Sequence, residues 1–189
     1  MPEPVGLQYS YSLLDRGVEL DLIPAGTALG MGLVCWSPLA AGLLTGKYGR
    51  EKIEETGPAG SLPDSAGETP DGGSDGRLNG DNPYGGMLFT EKNFDVVDVL
   101  RVVSQEVGRP MAQVALAWVA NRPGVSSTLI GASRTEQLDQ NIASLDVVLS
   151  ADQQGRLDAA GALPLLNPYF IFELPRERIF GGQAVTPWR

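Results

Sequence analysis

The chain has 189 residues, of which 42% are apolar and 20% charged, with a formal net charge of −9 and a pI near 4.5. That length suits one domain with a real core, and the apolar fraction excludes wholesale disorder. The acidic balance argues against nucleic acid or an anionic membrane as a partner. Much of the charge belongs to one segment, in Glu51, Glu54, Glu55, Asp64, Glu68, Asp71, Asp75 and Asp81, so the rest is closer to neutral. With no histidine, a His-ligated metal and a His general base are both out. The single Cys35 excludes an internal disulfide and fits a reducing compartment. No apolar run reaches membrane-spanning length, and "MPEPVGLQYS" lacks a signal-peptide pattern, so a cytoplasmic protein is expected.

In chain order, "VGLQY", Val5 to Tyr9, reads as a first strand. Asp15 is the expected cap of a helix over Val18 to Leu29, with Leu20, Ile23 and Ala28 inward and Gly30 at its end. Pro24 inside that span predicts a kink or a displaced first turn. "GLVCW", Gly32 to Trp36, is a second strand, and strand, helix and strand together have the size of a βαβ unit. From Gly49 the composition turns to Gly, Pro, Asp and Ser, so residues 49–89 are expected to form a loop with almost nothing to bury. Such a loop is either a solvated excursion without a role or a lid over a ligand.

Thr90 caps a helix with Phe94, Val97, Leu100 and Val103 on one face and Gly108 as its stop. Pro110 opens a largely buried helix, "PMAQVALAWVANRPG". "VSSTLIG", Val125 to Gly131, is a third strand. Ser133 with Glu136 forms the capping box of a further helix, and Ser150 opens the next. The tail, residues 162–189, has no periodicity and reads as an irregular strap. All three strands read as apolar and alternate with helices, which predicts an α/β fold whose parallel sheet is covered by helices.

In such folds ligands gather at the C-terminal ends of the strands. Here those ends carry Gln8, then Trp36 and Ser37, then Gly131 and Ser133. Gln8 has an amide donor and acceptor, and Trp36 a flat face for stacking on an aromatic ring. The small residues between Ser37 and Gly46 let backbone N–H groups approach an anion, and Lys47 adds a charge. Gly131 to Ser133 lead into a helix N-terminus that favours phosphate, with Arg134 beside it as a bidentate donor. Gln137 and Asn141 share a helix face next to Gln140, a polar wall for a ribose or an adenine edge. Each feature alone has a plainer reading: Trp36 as a core aromatic, Ser133–Glu136 as a cap, Arg134 as a solvated charge. No GxGxxG follows a strand, so a Rossmann site has no motif here.

The segments "LQYSYSLLDR", "CWSPLAAGLLTGKY", "QVALAWVANRPGV" and "LIGASRTEQLDQNIASLD" resemble the C-terminal half of an aldo-keto reductase, from about Val5 to about Leu157. The resemblance implies a partial (β/α)8 TIM barrel, strands six to eight, not closed by this chain alone. It implies a single incomplete domain over residues 1–189 that binds NADP, with NAD as the alternative. By that resemblance Gln8 holds the nicotinamide carboxamide and Trp36 stacks on its ring. Ser37, Pro38, Leu39, Ala40, Gly42, Thr45, Gly46 and Lys47 line the pyrophosphate path. Gly131, Ser133, Arg134, Gln137, Gln140 and Asn141 surround the adenosine and its 2′-phosphate.

The family's catalytic Asp, Tyr, Lys and His come from the other half of the barrel, so no catalytic residue and no metal site is assigned to this chain. The expected function is that of an oxidoreductase represented by its cofactor-binding half, without turnover alone. The alternatives are a non-catalytic dinucleotide-binding or regulatory module and a degenerate truncated reductase. Open sheet edges and an exposed inner face predict self-association or pairing with an N-terminal half. Each large side chain left unburied forfeits roughly 1.5–3 kcal/mol, against a typical domain stability of ~5–15 kcal/mol.

Overall fold

The computed structural model describes residues 4–55, 78, 85–164 and 167–180. Three strands, β1 (Gly6–Ser10), β2 (Gly32–Trp36) and β3 (Val125–Thr128), form one parallel sheet in that order. The β1–β2 register sets Leu7 beside Leu33, Gln8 beside Val34, Tyr9 beside Cys35 and Ser10 beside Trp36. Because side chains alternate across a sheet, Leu33 and Cys35 enter the core while Gln8, Val34 and Trp36 share the opposite face. Among the described residues nothing covers that second face: Gln8 and Trp36 are exposed. Among the described residues the parallel sheet is therefore buried on one side only, which is consistent with the open inner face expected of an unclosed barrel.

Between β1 and β2 the chain makes a turn and a displaced helix. Ser12 Oγ accepts the N–H groups of Leu14 and Asp15, so Asp15 belongs to a turn and caps nothing. A short 3-10 helix, Gly17–Glu19, precedes α1 (Leu22–Ala28), whose N-cap is Asp21. Pro24 is thus the third residue of α1, where the missing N–H has no intrahelical partner to lose. Ala28 turns to solvent, and Gly26 is the buried residue instead. A Cβ at Gly26 would come within 2.8 Å of Leu7 Cδ1, so its absence lets α1 approach β1. Gly30 ends the helix at φ +71°.

The segment after β2 folds more than its composition suggests. Among the described residues of 49–89 are α2 (Lys52–Glu55) and α3 (Gly85–Leu88). Leu78 and Phe89 are buried. The remainder of that loop lies outside the described residues. Thr90 then caps α4 (Glu91–Val107) by accepting the Asn93 N–H, and Phe94, Val97, Leu100 and Val103 face the core. Gly108 stops it at φ +67°. α5 (Met111–Ala120) follows, with Pro110 as its N-cap and Gln113 to Val119 continuously buried.

β3 is shorter than expected. Leu129 N–H still donates to Cys35 O at 2.8 Å, but Leu129 and Ile130 are exposed and the ladder ends there. α6 (Thr135–Ile142) takes Arg134, and not Ser133, as N-cap, and the Ser133–Glu136 capping box does not form. A 3-10 turn, Ala143–Asp146, leads on to α7 (Ala151–Ala160). There the box does form, between Ser150 and Gln153. Among the described residues of the tail are a 3-10 helix, Tyr169–Glu173, and α8 (Arg176–Phe180), and Tyr169 donates to Asp21 at 3.1 Å.

A half-buried charge cluster joins these pieces. Trp118 on α5 packs against the guanidinium groups of Arg16 and Arg122, which lie 5.3 and 4.6 Å from its ring centroid. Its Nε1–H donates to Asp158 on α7 at 2.9 Å, and Arg122 donates to both Asp158 oxygens at 3.0 Å. Glu19 accepts from Arg16 at 2.8 and 2.9 Å and from the hydroxyl of Tyr11. Burial foremost, and then the Glu19 carboxylate, push the Tyr11 hydroxyl far above its ordinary pKa, so it keeps its proton. Asp158→Ala strips Trp118 and Arg122 of their shared acceptor. It is expected to cost about 1–3 kcal/mol, because breaking a buried pair is expensive and partial exposure discounts the loss. Urea unfolding of the two chains measures the difference.

Candidate functional site

The three strands end at one level. Tyr11 N–H donates to Trp36 O at 3.1 Å and Leu129 N–H to Cys35 O at 2.8 Å, so β2 is held from both sides up to its last residues. On the open face at that edge Trp36 is 48% exposed, with Ser10 directly opposite and Gln8 one pleat further back. A large aromatic turned outward at the end of a central strand has given up burial that its neighbours Leu33 and Cys35 obtain. Cys35, one residue earlier, points the other way; burial pushes its thiol up to about 11, which leaves it an inert core residue.

Beyond Trp36 the backbone enters the left-handed region repeatedly. Ser37, Ala40, Ala41, Gly42 and Gly46 have φ of 58°, 47°, 53°, 97° and 77°. Three of these five carry a Cβ and so hold a conformation that costs about 1–2 kcal/mol each. The strain is held by bonds within the turn: Ala40 N–H to Ser37 O at 2.9 Å, Gly42 N–H to Leu39 O at 2.9 Å, and Thr45 Oγ1 to Gly42 O at 2.7 Å. Pro38, Ala40, Leu43 and Leu44 are buried and anchor it from below. Pro38 and Ala40 therefore shape the turn from inside. Gly46, at φ +77°, also lies beside Met111 Sδ at the start of α5, which a Cβ there would displace.

The second group follows β3. Gly131, Ser133 and Arg134 are exposed ahead of α6, and Gln140 is exposed on it, with Gln137 and Asn141 partly buried. Gln137 folds back over the helix start, its Oε1 accepting both the N–H and the hydroxyl of Ser133 at 3.1 Å. This contact takes the place of the capping box. Gln137 thus holds Ser133, and Arg134 stands exposed at the helix N-cap.

Two residues of this region escaped sequence reading. Ala41 belongs to the strained run; its only signal was the string of small residues in which it sits. Met111, which closes against Gly46, gave none, because methionine at a helix start marks no particular contact. Among the described residues no group of three or more His, Cys, Asp or Glu side chains could hold a metal ion. No helix among them is long and apolar enough to cross a membrane. An outward aromatic face, a turn of small residues with Lys47 at its end, and an exposed arginine at a helix N-cap fit a ligand bearing both a planar ring and phosphates.

The family model described as "Aldo/keto reductase family" matches residues 1–162. The chain belongs to the aldo/keto reductase family. It is 35% identical over 149 residues to a protein of Arabidopsis thaliana named a probable voltage-gated potassium channel subunit beta. That match covers 77% of this chain and 39% of the relative. It is 33% identical over 153 residues to the L-glyceraldehyde 3-phosphate reductase of Escherichia coli K12, covering 80% and 40%. An uncharacterized oxidoreductase of Mycobacterium tuberculosis is 32% identical over 177 residues, 93% of this chain and 48% of that protein. The chain thus spans less than half the length of these relatives. The aldo/keto reductase fold is a (β/α)8 barrel, and an open sheet of three parallel strands is consistent with part of one.

The strained turn yields a sharp contrast. Ala41→Gly, which removes the Cβ at φ +53°, is expected to leave stability unchanged or raise it by up to about 1 kcal/mol. Ala41→Val places a β-branched residue there and is expected to cost about 1–3 kcal/mol. Thermal melts of both variants test it, and a harmless valine would remove the strain argument.

Proposed function

We propose that this chain is the dinucleotide-binding half of an NADP-dependent aldehyde or ketone reductase. The observation that carries the reading is the exposed Trp36 at the sheet edge, followed at once by the left-handed turn of Ser37 to Gly46. Trp36 would stack on the nicotinamide, with Gln8 on the same face for its carboxamide. The turn's amides and Lys47 would take the pyrophosphate, and Arg134 with Gln137, Gln140 and Asn141 the adenosine side. When bound, such a cofactor supplies hydride. Tyr11, the buried hydroxyl near the sheet, keeps its proton in a bond to Glu19 and is not aimed at a carbonyl. The residues that would donate a proton belong in this family to the other half of the barrel, so the chain by itself binds without turnover.

The open face supports a partner in the same reading. Leu138, Ile142, Leu145 and Val148 are exposed along α6 and the turn after it, and both sheet edges are unpaired among the described residues. A complementary N-terminal half-barrel would cover them, and a second copy of the chain is the competing occupant. One alternative has a specific observation behind it: kinship with a protein named as a potassium-channel subunit favours a non-catalytic binding module.

NADPH added to the chain is expected to quench the Trp36 contribution to the fluorescence, and Trp36→Ala to abolish that quenching. No quenching would remove the dinucleotide reading, and reduction of a simple aldehyde by the chain alone would remove the account of the missing acid. Arg134→Ala is expected to weaken NADPH about tenfold, the loss of one charged phosphate contact, and NADH much less. Equal losses would leave NADP and NAD undistinguished by this residue. Adding the N-terminal part of the Escherichia coli reductase, the portion outside the match, distinguishes the readings: activity supports a catalytic half, and binding without activity supports the module.

A further inference from the structure

Lys47 is the one residue of the strained turn with a long flexible side chain, yet the structure gives it a defined place. Its Nζ lies 5.0 Å from the centroid of the Tyr48 ring. Its stem runs over Gly42, where an added Cβ would sit 3.4 Å from Lys47 Cε. Tyr48 is in turn the first of three buried rings. Tyr48 and Phe89 are 5.5 Å apart and tilted; Phe89 and Phe94 are 6.1 Å apart and stacked. The far end is closed by a second cation, the Arg50 guanidinium, 5.8 Å from the Phe94 centroid.

Two further bonds fix this ladder. The Tyr48 hydroxyl accepts the N–H of Leu78, which holds the ring against rotation. Arg50 donates to Asp95 and Asp98 at 2.8 Å and also to Glu91, three carboxylates on one face of α4. A single exposed pair of this kind holds little, but three acids converge here on one planar cation whose fork matches them. The rings therefore join the two ends of the long segment between Tyr48 and Phe89, and they do so directly beneath Lys47.

We propose that the Tyr48–Phe89–Phe94 ladder, locked by Arg50 on α4, is a positioning device that holds the Lys47 ammonium over the Gly42 turn to receive a phosphate. Its purpose rests on the dinucleotide reading; its geometry does not. The cation–π contact and the packing on Gly42 order the lysine before any ligand arrives, so binding does not have to order it. Arg50 is then a positioning residue, which acts on the anion through Lys47 alone.

Carbon-proton NMR of the full chain tests the device without a ligand. The Lys47 ε-methylene, identified by its loss in Lys47→Met, is expected upfield of that of Lys92 because it lies over the Tyr48 ring. Arg50→Gln, which keeps the Phe94 ring and removes only the cation that ties it to the three acids of α4, is expected to collapse that shift, as is Phe89→Leu. A shift retained in Arg50→Gln overturns the proposal, whether or not Phe89→Leu folds. In NADPH titrations Arg50→Gln is expected to raise Kd about three- to tenfold, with no further loss in the Lys47→Met background. Additive losses would also overturn it. A wild-type chain that ignores NADPH would instead remove the dinucleotide reading, while the NMR shift still decides the ladder.

Discussion

Trp118 packs against two guanidinium groups and hands its one N–H to Asp158, and much of the molecule hangs on that arrangement. Arg16 and Glu19 come from the connection after β1, Trp118 and Arg122 from α5 and its end, and Asp158 from α7. The cluster therefore ties the loop after the first strand to α5, which packs on β3, and to α7, which packs on α4. Three short parallel strands cannot do this themselves, since among the described residues β1 and β3 each pair on one side only. The charges are tolerated because every one of them meets a partner. Arg16 closes the set by donating to the Asp158 carbonyl at 2.7 Å.

With the layer behind it fixed, the sheet can leave its other face open. That face carries Gln8, Val34 and Trp36, and the turn beyond Trp36 holds three non-glycine residues in the left-handed region. Strain of this kind persists only where the surroundings determine it. Here they do: Leu43 and Leu44 are fully buried beneath the turn, and Met111 presses on Gly46. The energy drawn from the core is thus spent on a backbone shape with no use to packing. The aromatic ladder extends the same logic to a side chain, holding Lys47 at the rim of the turn.

Much of this was legible in the residues. Strand β2 matched its reading over Gly32 to Trp36, because an apolar run bounded by glycine and proline has few other solutions. The Thr90 and Ser150 caps were readable because a hydroxyl three residues before a free N–H is a purely local arrangement. Ser133 with Glu136 carried the same signature and failed. There the chain leaving β3 stays extended through Arg134, and Gln137 reaches Ser133 first. Asp15 failed similarly, since Ser12 had already turned the backbone.

The sequence by itself determined the family, the order of strands and helices, and the chemical types gathered at the sheet edge. All of these follow from local patterns or from the quoted motifs. Only the tertiary structure decided that Trp36 faces outward while Cys35 is buried, that Ala40 and Ala41 are strained, and that Arg50 reaches α4 across an intervening 40 residues. Each of these depends on what a residue far away in the chain places beside it. Arg16 and Asp158, or Tyr48 and Phe89, carry no mark of one another until the chain has folded.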